Sequence, residues 1–167
     1  MKKFLVQIVI ILAIIIIALY FFGPNRPGPK IILPFIPKQA EFKEMVINDK
    51  TIKVEVADTQ EKRNKGLGER DSLAEGEGML FIYSTLGKYP FWMKGLKFPL
   101  DFVWIKDDKV VDIIKNASPP VLNTKDEDLP LYLPKSEVNK ILEVNAGMVD
   151  KLGIKLGDSL NILNSSK

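Results

Sequence analysis

An almost uninterrupted apolar run near the N-terminus constrains this chain more than any other feature. Residues 4–22, FLVQIVIILAIIIIALYFF, contain one polar side chain, Gln7, and no charge. At about 1.5 Å per residue, a helix of this length measures roughly 28 Å, close to the hydrocarbon thickness of a bilayer. The run therefore predicts one transmembrane helix that contacts the lipid bilayer through residues 4–22.

The ends of the run predict its orientation. Lys2 and Lys3 precede it, and the positive-inside rule keeps such an N-terminus in the cytoplasm. A cleaved signal peptide is the alternative, with an apolar core of about 7 to 15 residues followed by small residues. Here the run is longer and ends in Tyr20, Phe21 and Phe22. We therefore expect an uncleaved single-pass anchor in the cytoplasmic (inner) membrane, with the C-terminal domain outside the cytoplasm.

Composition divides the rest of the chain into a linker and one domain. Residues 23–37, GPNRPGPKIILPFIP, hold five of the eleven prolines, which favour an extended polyproline-II spacer. The apolar part of this linker is equally compatible with a strap that packs on the membrane or on the domain. The predicted organisation is a cytoplasmic tip and transmembrane helix at 1–22, a Pro-rich linker at 23–37 and an extracytoplasmic globular domain at 38–167.

Charge and residue usage exclude several functional classes. From Lys38 onward the chain carries 20 basic and 21 acidic residues, so the pI of 8.9 does not indicate nucleic-acid binding. The chain contains no Cys, the residue that forms disulfides and thiolate metal sites. It also contains no His, the commonest general base. Its acidic clusters do not match the spacing of a calcium loop. The sequence therefore predicts no metal site and no cofactor.

Short alternating segments predict a mainly β domain. Because the order does not repeat βαβ, a doubly wound parallel sheet is not expected. The predicted fold class is mainly β (α+β), a compact small β-barrel or sandwich-like domain with two short helices, preceded by the transmembrane helix. The helices are expected at about 59–65 and 146–152. The predicted strands are 42–47, 51–57, 79–83, 91–94, 100–106, 109–114, 138–144 and 159–163.

A set of short motifs then carries a family resemblance. In chain order they are Arg63-x-x-Gly66-Leu67, Glu69-Arg70-x-x-Leu73, Gly78-Met79-Leu80-Phe81, Phe91-Trp92-Met93-Lys94, Phe98-Pro99-Leu100-Asp101, Leu142-Glu143-Val144-x-x-Gly147 and Gly157-Asp158. Over roughly residues 43–164, the set resembles the bacterial and archaeal domain-of-unknown-function family 192. The resemblance implies a small, mostly β domain, often exported, with no established activity. The chain has Gly66-Leu67-Gly68 and Lys94-Gly95-Leu96 where the family typically has Gly-Leu-Met and Lys-Asn-Thr.

Two carboxyl groups fall within apolar segments. If residues 100–106 form a strand, it is apolar on both faces, so Asp101 should lie near the core and need a partner. Arg63, Arg70 and Lys94 are the candidate partners. Glu143 poses the same problem, because its neighbours in the sequence are apolar.

Two interpretations of these charges remain open. In the structural one, they form internal ion pairs and hydrogen bonds, and removal of one partner costs about 3 to 5 kcal/mol. In the functional one, they line a cleft with a Trp platform that suits a sugar or a carboxylated ligand. For the Trp itself, packing in the core is the alternative to a place at the cleft rim. The six candidate ligand-binding residues are Arg63, Arg70, Trp92, Lys94, Asp101 and Glu143.

The predicted function is a membrane-anchored extracytoplasmic module that binds a ligand or partner without catalysis. An envelope glycan or an envelope protein is the expected partner, and no residue is assigned a catalytic role. The alternative is an envelope polysaccharide hydrolase that uses Asp101 and Glu143 as paired carboxylates. That reaction needs the two groups within about 5 to 10 Å of each other across an open cleft.

Overall fold

The structure, a computed structural model, describes residues 2–22 and 42–163. The chain separates into two compact units, Met1–Lys38 and Gln39–Lys167. The first unit contains helix α1 (Lys2–Phe22), and the second contains every strand in the described ranges. The predicted Pro-rich linker at 23–37 lies outside the described residues.

Helix α1 corrects the predicted fold class. Among the described residues, no helix is both long enough and apolar enough to cross a membrane. The transmembrane helix in the predicted fold class is therefore wrong, while the inner-membrane location and the bilayer contact stay predictions.

Seven strands form one sheet in the second unit, in the order β5-β4-β6-β3-β2-β1-β7. Strands β2 and β3 are parallel, and the other neighbours are antiparallel. Two short helices, α2 (Gln60–Lys65) and α3 (Met148–Leu152), and a 3₁₀ turn at Asp126–Asp128 connect the strands. The strands are β1 Phe42–Ile47, β2 Lys50–Ala57, β3 Glu77–Gly87, β4 Leu100–Lys106, β5 Lys109–Ala117, β6 Val138–Asn145 and β7 Asn161–Ile162.

The sheet forms a half-barrel, and the C-terminal segment reaches both of its edges. On the β5 side, the Gly157 N–H donates to the Val110 carbonyl at 2.8 Å. On the β1 side, the Leu163 N–H donates to the Glu44 carbonyl, also at 2.8 Å. These bonds satisfy backbone groups that a sheet edge would otherwise leave unpaired. The mainly β architecture with short helices is as predicted, in the form of a half-barrel whose two edges both bond to the C-terminal segment.

One predicted strand does not join the sheet. Residues 91–94 contribute a single isolated bridge, at Phe91, and then turn at Gly95. The predicted alternation nevertheless holds, because Phe91 and Met93 are buried. Trp92 and Lys94 are exposed on the other side of the segment.

The two faces of the sheet carry two separate hydrophobic clusters. The first, here called the α3 face, packs side chains such as Val103 and Val144 against helix α3. The second, here called the aromatic face, contains Phe81, Phe102 and Trp104. Because successive residues of a strand point to opposite faces, neighbouring residues of β4 and β6 belong to different clusters.

Candidate functional site

A cleft of about 640 Å³ opens on the aromatic face. Its floor comes from β3 and β6, and its walls come from helix α2, the loop at 66–69 and the segment at 90–96. The volume falls within the range of about 300 to 1,000 Å³ that is typical of small-molecule sites. The cleft is therefore large enough to enclose a ligand of several rings.

Glu143 lies on the floor of this cleft. It sits on β6, opposite Met79 of β3 and Phe102 of β4, and its exposed fraction is 3%. In the ranges that the structure describes, no group donates a hydrogen bond or a positive charge to its carboxyl. Burial alone raises the pKa of Glu143 to about 8. The side chain is thus a neutral, unpaired carboxylic acid at pH 7.

Arg63 forms part of the wall and is held rigidly by helix α2. The helix begins where the Thr59 hydroxyl accepts from the Lys62 N–H at 3.2 Å, and it ends at Gly66. Arg63 Nη1 donates to the Ile82 carbonyl at 2.9 Å, and the guanidinium lies 4.9 Å from the centre of the Tyr83 ring. Its Nε is buried and has no hydrogen-bond partner among the described residues.

Trp92 and Lys94 form the rim. The indole of Trp92 is 46% exposed, and Lys94 Nζ lies 5.4 Å from its ring centroid, within cation–π range. Lys94 also pairs with Asp126. Beneath them, the buried ring of Phe91 packs edge-on against Phe81, with ring centroids 4.9 Å apart. The exposed indole therefore stands on an anchored segment, which suits a platform for a flat ligand.

Two loops with unusual backbone meet beside the rim. Glu69 has a φ of 66° and Gly95 a φ of 69°, both in the left-handed region. The Glu69 N–H donates to the Gly95 carbonyl at 3.0 Å and joins the two loops. Glu69 is not a glycine, so this conformation is strained, a feature that is common at functional sites. At the other loop, Gly95 accommodates its positive φ without strain, as the Asn that is typical of the family at this position also can.

The structure places Asp101 away from the cleft, on the α3 face. Its side chain is fully buried, and Oδ1 accepts from the Asn116 N–H at 2.9 Å. Oδ2 accepts from the Val149 N–H, at the start of α3, at 3.0 Å. The expectation of a cationic partner for Asp101 is therefore wrong, because two backbone donors satisfy the carboxyl instead.

Arg70 also lies outside the cleft. Its Nη2 contacts Glu55 Oε2 at 2.6 Å, in a pair whose side chains are 29% and 20% exposed. Of the six candidate residues, the structure brings four together around the cleft and separates the other two. The four that line it are Arg63, Trp92, Lys94 and Glu143.

Sequence reasoning did not select Tyr83, which also lines the cleft. Tyr83 stacks on Tyr89 with ring centroids 3.6 Å apart, and burial raises its pKa above the ordinary value. Alternation along β3 places Tyr83 on the same face as Phe81, so the pattern of the strand contained the necessary signal. The backbone of the loop at 66–69 had no comparable signal, since its conformation depends on contacts with a distant segment.

This curved sheet with a cleft on one face defines a small, mainly β domain. Residues 43–162 match the model of the family DUF192, described as Uncharacterized ACR, and the chain belongs to this family. The resemblance in the motifs is thereby confirmed. No curated protein matches the chain significantly.

Two solved structures are similar to the chain. One is a proposed transcription regulator from Sinorhizobium meliloti 1021, with 29% identity, a TM-score of 0.63, and coverage of 73% of this chain and 92% of that protein. The other is a protein of unknown function from Novosphingobium aromaticivorans DSM 12444, with 28% identity, a TM-score of 0.63, and coverage of 72% and 84%. Both likenesses extend over most of the described domain.

Proposed function

We propose that the domain binds a ligand or partner in the cleft on the aromatic face and catalyses no reaction there. The observation that carries the proposal is Glu143, a buried carboxyl on the cleft floor without a partner in the described part of the chain. Burial of an unpaired polar group costs free energy that the rest of the fold must offset. A ligand that hydrogen-bonds with the carboxyl supplies a reason to retain it. An envelope glycan or an envelope protein is the partner class that we propose.

The geometry argues against the hydrolase alternative. Asp101 lies opposite Val144 in the register between β4 and β6, whereas Glu143 lies opposite Phe102. The two carboxyl groups are therefore one register step apart and point to opposite faces of the sheet. Paired catalytic carboxylates must face the same bond from one open cleft.

Nucleic-acid binding is also disfavoured, although one similar structure is described as a transcription regulator. The chain from Lys38 onward carries 20 basic and 21 acidic residues. Binding to a phosphate backbone depends on an excess of clustered basic side chains. We therefore do not extend that description to this protein.

Protection of Trp92 from a quencher tests the proposal. In the free full-length protein, acrylamide should quench the exposed indole of Trp92 but not the buried indole of Trp104. Envelope glycans and fractions of an envelope lysate are then added, and a true ligand should reduce the quenching. The variant Trp92→Phe is the matched control, because its remaining fluorescence should not respond to ligand. If every addition leaves Trp92 equally quenched, the proposal is wrong.

A further inference from the structure

The chemistry of the cleft narrows the class of ligand, provided that the proposed function is correct. We infer that the cleft takes a neutral or acidic saccharide, with a hydroxyl hydrogen-bonded to Glu143 and a sugar ring on the indole of Trp92. The inference rests on the floor, the rim charges, the platform and the pairing of the strands beneath them.

The floor selects a group that both donates and accepts hydrogen bonds. A protonated carboxylic acid presents an O–H donor and a carbonyl acceptor in one plane. With 3% of its surface exposed, Glu143 can meet a partner for both functions only on its cleft side. A sugar hydroxyl is at once a donor and an acceptor, so one such group satisfies both functions of the acid.

The rim disfavours a cationic ligand. Three basic side chains line the cleft, Arg63, Lys65 and Lys94, against one exposed carboxylate, Glu69. A cation that approached Glu143 would pass these like charges, whereas a neutral or anionic group would not be repelled. A carboxylate on the saccharide would gain from the same rim charges.

The platform and the strands favour a saccharide over a peptide. The exposed indole of Trp92 offers a flat apolar surface beside a polar rim, which suits a ring with apolar and hydroxylated parts. Peptides commonly bind to a protein by adding a strand to a free sheet edge. The floor strands β3 and β6 each have a neighbour on both sides, so the cleft floor offers no such edge.

Because the inferred contact uses the protonated form of Glu143, the affinity for the saccharide should depend on pH. Burial raises the pKa of Tyr83 above its ordinary value, so this phenol stays protonated up to pH 9. Side chains of the other types around the cleft do not ordinarily titrate between pH 6 and 9. Above pH 8 the floor therefore loses its donor and gains a negative charge. The charged and titratable groups that line the cleft with Glu143 are Arg63 and Lys65 of α2, Glu69 of the following loop, Tyr83 of β3 and Lys94 of the rim.

The test measures binding of defined trisaccharides to the full-length protein by calorimetry. The probes are tri-N-acetylchitotriose, which is neutral, trigalacturonate, which is anionic, and chitotriose, which is cationic at pH 6. We expect the neutral or the anionic probe to bind at least 10-fold more tightly than chitotriose at pH 6. From pH 7 to pH 9 the affinity of the wild type should fall about 10-fold, following the protonated fraction of a group with a pKa of about 8.

Two substitutions separate the role of Glu143 from a general effect on folding. Glu143→Gln keeps a donor and an acceptor but does not ionise, so it should bind the probes with no loss at pH 9. Glu143→Leu removes both, so at pH 6 it should bind at least 10-fold more weakly than the wild type, with no further loss up to pH 9. Asp71→Asn changes an exposed carboxylate that pairs with Lys97 outside the cleft, and it should leave binding unchanged.

The outcomes distinguish this inference from the proposed function. Equal affinity of Glu143→Leu and the wild type at pH 6, or a preference for chitotriose, would overturn the inference. So would protection of Trp92 by an envelope protein when no saccharide binds, although the binding function would then stand. If nothing protects Trp92, both the inference and the proposed function fail.

Discussion

Two buried carboxyl groups, Asp101 and Glu143, occupy adjacent strands one register step apart and yet have opposite surroundings. On the α3 face, Asp101 accepts hydrogen bonds from two backbone N–H groups. On the aromatic face, Glu143 accepts none from the described residues, and burial raises its pKa to about 8. The same kind of residue thus joins parts of the fold on one face and has no partner among the described residues on the other.

The difference arises from what lies over each face. The donors to Asp101 come from Asn116, which has a φ of 56° at an irregularity between β4 and β5, and from the first turn of α3. Both local conformations bring N–H groups to the carboxyl. Over Glu143 the chain leaves a cleft instead. Burial of a carboxyl group alone therefore does not distinguish a structural role from a functional one. Its hydrogen-bond partners must be identified first.

Removal of the Asp101 carboxyl should give the largest effect. Asp101→Ala leaves the buried Val149 N–H and the part-buried Asn116 N–H without an acceptor. The first costs about 1 to 3 kcal/mol and the second less, so the free energy of unfolding should fall by roughly 2 to 4 kcal/mol. Urea denaturation of the wild type and the variant measures this. Asp71→Ala is the control, because its carboxylate is 89% exposed and its removal should leave the denaturation midpoint nearly unchanged. Equal denaturation midpoints for Asp101→Ala and the wild type would show that Asp101 does not stabilise the fold.

The pH dependence of stability should reveal Glu143. Its pKa is raised from 4.5 in the unfolded chain to about 8 in the fold. The folded state holds the proton more tightly, so this stabilisation is complete below pH 4.5 and is lost as the pH rises to 8. Between these limits the free energy of unfolding should fall by about 1.4 kcal/mol per pH unit through this group.

The variant Glu143→Gln isolates that effect, because it should remove the slope while keeping the shape of the side chain. Denaturation of both proteins from pH 5 to pH 8.5 provides the comparison. Parallel curves for the two proteins would mean that Glu143 is paired in solution. Four other carboxyl groups have a lowered pKa, so they change the stability only at a pH below about 4, outside the range of this experiment. They are Asp58, Asp71, Glu75 and Asp158.

A glycine beside Glu143 should give a smaller effect. A Cβ on Gly78 would lie 2.8 Å from the Glu143 carbonyl oxygen and 3.0 Å from Val144 Cγ1, so β3 and β6 would have to separate. Gly78→Ala should therefore lower the free energy of unfolding by about 1 to 3 kcal/mol. Gly68→Ala is the matched control, since its Cβ would make ordinary contacts at 3.4 and 3.5 Å. If the two variants are equally stable, the close approach of the strands is relaxed in solution.

Local patterns predicted most of the sheet because alternation and turn residues act over a few positions. β1 and β4 agree with their predicted limits, and β3 is longer at both ends than predicted. The alternation predicted for residues 91–94 also holds, although that segment forms no strand, and the structure shows Trp92 and Lys94 exposed on one side of it. The sequence contains the information for these features locally.

The partner of Asp101 could not be predicted in this way. The donors are backbone groups at Asn116 and Val149, which are 15 and 48 positions away along the chain. Every residue except proline carries such a donor, so a search for opposite charges selects the wrong partners. The search for opposite charges also selected Arg70 as a site residue. Its guanidinium instead pairs with Glu55 outside the cleft.

The smallest effect on stability should come from Trp92, which provides the sharpest contrast within the aromatic face. Trp92→Phe changes a side chain that is 46% exposed, so the free energy of unfolding should change by less than about 0.5 kcal/mol. Trp104→Phe should be clearly more destabilising, because Trp104 has no exposed surface and the smaller ring leaves a cavity. Thermal unfolding of the two variants measures the difference. A large loss for Trp92→Phe would show that this indole supports the core, and the aromatic face would then be as structural as the α3 face.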